Sequence, residues 1–276
     1  MVWRALRRSP LTLAGLILVA LFVLIALTAP WLALQDPLAQ DLAHRLTGPS
    51  PSHPFGLDSL GRDVYSRVLY GARISVVTGV AVVSAATAAG IAAGTAAGWL
   101  GGWWDEGLMR LTDMFLAFPS LILAMAISAI LRPSLTNALI AIAITSWPTY
   151  ARLTRAQVLT LRTRDYVEAA RAEGAPDRVI IARHLIPNAL APLFVQATLN
   201  VGSIILTSAG LSFIGFGAQP PTPEWGLMVS EGRRFLMDQW WIATFPALAI
   251  LLLVLGFNLL GDGVRDVLDP RLRKLG

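Results

Sequence analysis

The chain has 276 residues, 55% of them hydrophobic and only 14% charged, with a mean hydropathy of +0.62 and a formal net charge of +5. Soluble domains carry about 25% charged residues, so this composition lies outside the globular norm and points to a chain that crosses a membrane several times. The absence of cysteine excludes disulfides, iron–sulfur clusters and thiolate zinc sites, and the single lysine, Lys274, has no G-x-x-x-x-G-K-[ST] around it, so the chain encodes no P-loop.

Charged residues mark off six apolar spans. The first runs from Leu11 to about Leu34, behind Arg4, Arg7 and Arg8; it is longer than the about 7–15 apolar residues of a signal-peptide core and reads as an uncleaved anchor. A charge-free run from Ser75 to Trp104 gives the second. The third lies between Asp113 and Arg132, and the fourth between Arg132 and Arg152, joined by a tight turn at Leu131-Arg132-Pro133-Ser134. The fifth covers about Ala189 to Phe213, and the sixth lies between Asp238 and Asp262. Each is near the ~20 residues that cross the hydrocarbon as a helix, the conformation that pairs its own backbone polar groups in lipid. The predicted fold is therefore all-α and polytopic. Most of the 22 Lys and Arg fall in the N-tail, the segment from Arg152 to Asn188 and the C-tail, which places both termini in the cytoplasm. That topology accounts for the arginines without nucleic-acid binding.

Gly90-x-x-x-Gly94-x-x-x-Gly98 in the second span forms a flat strip along which another backbone can approach closely. It fits packing within this chain or an interface with a second membrane subunit. Pro119 and Pro148 remove backbone hydrogen bonds within or at the ends of spans and favour kinks. The span interiors hold neutral polar groups such as Asn137, Gln196, Asn200 and Asn258, but no Lys, Arg, Asp, Glu or His well away from their ends. Proton- and ion-coupled carriers place such charges near mid-membrane, so their absence argues against a proton-driven transporter and against a channel with a charged filter. A membrane enzyme would need a nucleophile–base pair or a metal cluster, and neither occurs at useful spacing; no catalytic residue and no bound cofactor are expected. His44 and His53 are single histidines and a weak basis for a nickel site.

The longest basic loop carries Asp165-Tyr166-Val167-Glu168-Ala169-Ala170-Arg171-Ala172-Glu173-Gly174-Ala175-Pro176 and continues to Arg183-His184-Leu185-Ile186-Pro187-Asn188. Tyr166 to Glu173 reads as a short helix that Gly174 ends; Pro176 and Asp177 open a second, which Pro187 closes before the fifth span. This gives a cytoplasmic helix–turn–helix exposing the small residues Ala169, Ala170 and Ala175. The pattern fits a docking element and equally an amphipathic segment lying on anionic lipid headgroups.

The order Glu168-Ala169-Ala170, Gly174 and Pro187 resembles the EAA loop of ABC-importer permeases, with His184 and Ile186 departing from the usual I-x-L-P ending. His53-Pro54-Phe55-Gly56-Leu57-Asp58-Ser59-Leu60-Gly61-Arg62-Asp63-Val64-Tyr65-Ser66-Arg67 resembles an extracytoplasmic signature of the peptide/nickel branch, with Leu57 where Thr is usual. Asp113 to Pro119, Leu211 to Gly217 with Pro223-Glu224-Trp225-Gly226, and Asn258 to Asp262 with Asp269-Pro270-Arg271 resemble further motifs of that branch. The chain thus resembles a C-type permease of the type I importer fold in the bacterial inner membrane.

The resemblance implies a division into residues 1–74, an N-terminal anchor helix and extracytoplasmic loop, and residues 75–276, a permease core with a cytoplasmic coupling loop at 152–188. It implies as partners a B-type permease in a heterodimer, two ATPase subunits that use ATP and Mg, an extracytoplasmic solute-binding protein, and membrane lipid. Glu168, Ala169, Ala170, Gly174 and Pro187 would couple to the ATPases. Gly56, Asp58, Gly61, Arg62, Asp63, Ser66 and Arg67 form the outer motif; Asp58, Arg62 and Asp63 either pair within their loop or contact the delivery protein. Short peptides are the implied solute, nickel or a nickel chelate the alternative, and a stand-alone channel or carrier the alternative of another class.

Overall fold

The protein is described by a computed structural model covering residues 10–268; Arg4, Arg7, Arg8, Lys274 and the Asp269-Pro270-Arg271 part of the C-terminal motif lie outside the described residues. Among these residues every regular element is helical, and the one β-bridge pairs Leu57 with Asp63. The helices are α1 (Pro10–Leu32), α2 (Val64–Leu100), α3 (Gly102–Leu116), α4 (Ser120–Leu131), α5 (Leu135–Leu161), α6 (Asp165–Ala172) and α7 (Asp177–Ile180). A π-turn (Ile181–Leu185) then leads into α8 (Ile186–Ile214), followed by α9 (Trp225–Gly232), a 3-10 turn (Arg233–Phe235) and α10 (Trp241–Leu268).

Four helices are long and apolar enough to cross a membrane: α1, α2, the continuous helix Asp177–Ile214, and α10 up to Asp266. The remaining two expected spans differ from the sequence reading. The third is broken: α3 and α4 meet at a 92° bend, which makes at most one further crossing. The cause is local. Pro119 sits at the N-cap of α4 with an extended ψ of 122°, and it has no N–H to carry the helix onward. α4 alone has 12 residues, about 18 Å of helix, too short for a hydrocarbon core of about 30 Å. The fourth expected span, α5, is long at 27 residues, but Thr145 to Tyr150 and Arg152 dilute its hydropathy, and it does not end at Arg152 but continues to Leu161. The second begins eleven residues earlier than expected, at Val64, so α2 passes straight through positions 74 and 75. The turn between α4 and α5 is tied by Asn137, whose Nδ2 donates to Leu131 O (2.7 Å) and Arg132 O (2.9 Å).

The core is organised on α2 and α5, which pack along much of their length. The glycine strip makes this possible. A Cβ at Gly90 would fall 2.3 Å from Tyr150 Cβ, one at Gly94 2.4 Å from Ala151 O, and one at Gly98 2.9 Å from Val158 Cβ. The strip therefore lies against α5 of the same chain. α10 covers α1 and α8 on the other side, with Phe22, Ile205, Leu253 and Phe257 in the shared core.

Gly94→Ala should lower the apparent melting temperature of the detergent-solubilised protein, because forcing a methyl into this seam costs about 1–3 kcal/mol. Gly210→Ala, in α8 where an added Cβ meets nothing within 4 Å, should leave it unchanged or raise it.

Candidate functional site

Two groups of sequence-predicted residues gather at opposite ends of α2, a helix of 37 residues and so roughly 55 Å long. At its C-terminal end lies the expected coupling element. α6 starts at Asp165, and Asp165 and Glu168 in its first turn complement the helix dipole. It ends in a Schellman motif: Gly174 has φ +80°, its N–H donates to Arg171 O (2.9 Å), and Ala175 N–H donates to Ala170 O (3.0 Å). Pro176 then caps α7 with its carbonyl, which accepts from Val179 N (2.8 Å).

The expected end of this second helix at Pro187 is not found. The helix runs unbroken from Asp177 to Ile214, with Pro187 in the first turn of α8. The π-turn immediately before it, Ile181–Leu185, widens the helix where Pro187 supplies no N–H, and Asn188 Nδ2 caps His184 O at 2.6 Å.

Of the three alanines expected to be exposed, Ala169 is open, Ala175 half-buried and Ala170 buried. Ala170 packs with Val158, Val167, Ile180 and Leu185 in a small core of its own, because it faces α5 rather than solvent. Trp99 closes this core, with the Arg171 guanidinium 4.5 Å from its ring centroid, and Arg162 Nη1 donates to Gly98 O at 2.9 Å. Glu168 is exposed, and its carboxylate has no hydrogen-bond or ion-pair partner among the described residues. A rigid corner thus presents Glu168 and Ala169 outward.

At the other end of α2, the outer motif forms a buried charge cluster. Arg62 and Arg67 have side chains only 1% exposed. Arg62 Nε donates to Asp58 Oδ2 (2.6 Å) and its Nη2 to Glu231 Oε2 (2.8 Å). Arg67 reaches the same Glu231 oxygen at 3.4 Å and donates to Pro37 O (3.3 Å) and Pro221 O (3.4 Å). Two guanidinium groups face two carboxylates, and the planar fork of each arginine serves several acceptors at once, which is what makes such burial tolerable. Asp63 does a different job: Oδ2 caps α2 by accepting from Ser66 N (2.8 Å), while Oδ1 pairs with His53 Nδ1 (3.0 Å). Ser66 Oγ accepts from Gln35 N at 3.1 Å. Gly56 and Gly61 both have positive φ and sit against Trp241 and Asp41, so neither leaves room for a side chain.

Glu231 is a partner that sequence reasoning missed. The available signal was a lone acid in an otherwise uncharged helix, Trp225–Gly232. Glu224, part of the hairpin motif, caps that same helix at Leu227 N (2.8 Å); burial pushes its carboxyl above the ordinary glutamate range despite the backbone hydrogen bonds. Among the described residues, no three His, Asp or Glu are grouped to hold a metal ion.

Residues 90–274 match the family described as binding-protein-dependent transport system inner membrane component, and residues 1–49 match the N-terminal TM domain of oligopeptide transport permease C. The chain belongs to this permease family. It is 49% identical to the probable D,D-dipeptide transport system permease protein DdpC of Escherichia coli (strain K12), over 98% of this chain and 91% of that one. It is 46% identical to the dipeptide transport system permease protein DppC of Alkalihalophilus pseudofirmus, over 98% and 89%, and 47% identical to the glutathione transport system permease protein GsiD of Shigella flexneri, over 98% and 90%. The fold is that of a permease chain in the inward-facing MetNI methionine ABC transporter, with a TM-score of 0.58 and 18% identity over 74% of this chain and 96% of that one. The chain is thus an inner-membrane permease component of an ABC importer; ATP hydrolysis belongs to partner subunits, and this chain is not itself an enzyme.

Glu231→Ala should leave Arg62 and Arg67 with a buried, partly unpaired charge. Breaking a buried pair costs about 3–5 kcal/mol; the lower end applies, because Glu231 is 24% exposed. A clear drop in melting temperature in detergent is expected, with a smaller drop for Glu231→Gln.

Proposed function

We propose that this chain is the C-type subunit of an importer for short peptides, with six membrane crossings and both termini in the cytoplasm. The observation that carries the solute class is the identity of 46–49% with permeases named for D,D-dipeptide, dipeptide and glutathione transport, each spanning 98% of this chain. All three solutes are small and contain amide bonds. A B-type permease completes the passage, two ATPases using ATP and Mg bind the corner formed by α6 and α7, and an extracytoplasmic binding protein delivers the solute. Two states of the passage bind these partners with different affinity, and that difference drives alternating access. In a strain lacking this gene, growth on di- and tripeptides as sole amino-acid source should fail while nickel uptake persists; normal peptide growth with nickel uptake lost would overturn the peptide reading. Co-purification of a second permease and two ATPases separates this reading from a stand-alone channel or carrier.

Glu168, Ala169 and Gly174 form the docking corner in this reading, with Ala170 and Pro187 supporting it from within. Gly174→Pro removes the N–H to Arg171 O and forbids the φ of +80°. Glu168→Ala removes the open carboxylate. Both variants should insert normally in the membrane yet reduce ATP-driven peptide uptake by about tenfold, the equivalent of ~1.4 kcal/mol of lost coupling. Full uptake in either variant would count against the docking role.

A further inference from the structure

A cavity of about 310 Å³ opens between α4, α5 and α8 and has no counterpart in the sites described above. Its volume is at the lower end of the ~300–1,000 Å³ typical of small-ligand sites. The polar side chains lining it are Ser120 from α4, Thr145, Ser146 and Thr149 from α5, and Asn200, Ser203 and Thr207 from α8. No charged residue lines it. On α8 the three positions follow helical spacing and share one face, and Asn200 is the central residue of that helix. On α5 they surround the helix centre as well.

This placement is costly if lipid fills the space. Ser146, Thr149 and Ser203 are open to the cavity, and their side-chain hydroxyls have no hydrogen-bond partner among the described residues. Polar groups at mid-depth in hydrocarbon are disfavoured unless paired or wet. Asn200, in contrast, is held in place. Its Oδ1 accepts from Gln196 Nε2 (3.0 Å), and its Nδ2 donates to the Tyr150 hydroxyl (3.1 Å). Tyr150 is itself seated by Gly90, whose missing side chain lets the two helices meet there. One N–H and one acceptor lone pair of the Asn200 amide stay unused in this arrangement. Thr145 and Thr207 spend their hydroxyl protons on Ile142 O and Ser203 O and can only accept, whereas the hydroxyls of Ser146, Thr149 and Ser203 can donate and accept; with the fixed amide of Asn200 they complement another amide and not a fixed charge.

From this geometry we infer that the cavity is this chain's contact with the moving solute, and that it binds the amide bond of a short peptide through Asn200, Ser146 and Ser203. The inference rests on the peptide reading above. Peptides of different side chains share that bond, so such a contact passes them without discriminating among them. A close-packed partner helix would instead fill the groove and pair its hydroxyls.

The lack of native cysteine makes a direct test possible. Ser146→Cys and Ser203→Cys, each a near-isosteric change, are placed in the importer assembled with all its partners in proteoliposomes. Leu206→Cys, at an exposed apolar position of α8, serves as the reference. Uptake of Ala-Ala by the unsubstituted importer is measured first; its absence overturns the peptide reading, and with it this one. In an importer that transports, a charged, membrane-impermeant methanethiosulfonate should modify the thiols at 146 and 203 about tenfold faster than at 206, because a thiol in apolar surroundings ionises less. Excess Ala-Ala with ATP should slow that modification, and the modified importer should lose Ala-Ala uptake. Modification no faster than at 206 would mean that lipid or a partner helix fills the cavity. Fast modification without protection by Ala-Ala, or without loss of uptake, would equally overturn the solute contact while leaving peptide import standing.

Discussion

Two helices can approach backbone to backbone only where side chains are missing from the contact, and the seam between α2 and α5 is built on that condition. Gly90, Gly94 and Gly98 lie directly against Tyr150, Ala151, Thr154 and Val158. The seam fixes more than a pair of helices. One end leads to the first turns of α2, where Arg67 lies in the charge cluster; the other leads to Trp99, over which Arg171 of α6 stacks. At Gly90 the seam seats Tyr150, whose hydroxyl holds Asn200 beside the cavity. Three regions spread along α2 are therefore in register through one close contact.

The outer cluster supplies the second constraint. Arg62 and Arg67 are carried by the start of α2 and the loop before it, whereas Glu231 belongs to α9, more than 160 positions further on in the chain. Closing so long a loop costs entropy, and the shared pairing of both buried arginines with Glu231 makes that closure specific. Trp225 Nε1 donating to Val68 O (2.9 Å) and Trp241 Nε1 donating to Leu57 O (3.2 Å) add neutral ties at the same end. That end of the molecule is thus held as one body.

Much of this was legible from residue order. The anchor helix, the run of apolar spans, the break at Gly174 and the departure from soluble composition all follow from patterns local to a few turns of chain. What was not legible depended on distant partners. Nothing near Arg62 in the sequence names Glu231. Ala170 looks as solvent-exposed as Ala169 until α5 is placed beneath it. Pro119 announced a kink, but not one of 92°, because the angle is set by what α3 packs against. Pro187 suggested a helix end; the wider turn before it accommodates the missing donor, and the helix continues.

That continuity has a mechanical consequence. From Asp177 to Ile214 the chain is one helix of 38 residues, roughly 57 Å of rod with the corner made with α6 at one tip and Asn200 nearer the other. No hinge at Pro187 separates the two. In the proposed reading, a torque that an ATPase applies at the corner reaches the cavity as rotation of one continuous rod, and the five residues of the π-turn are the stretch along its length where the winding differs and twist can be stored.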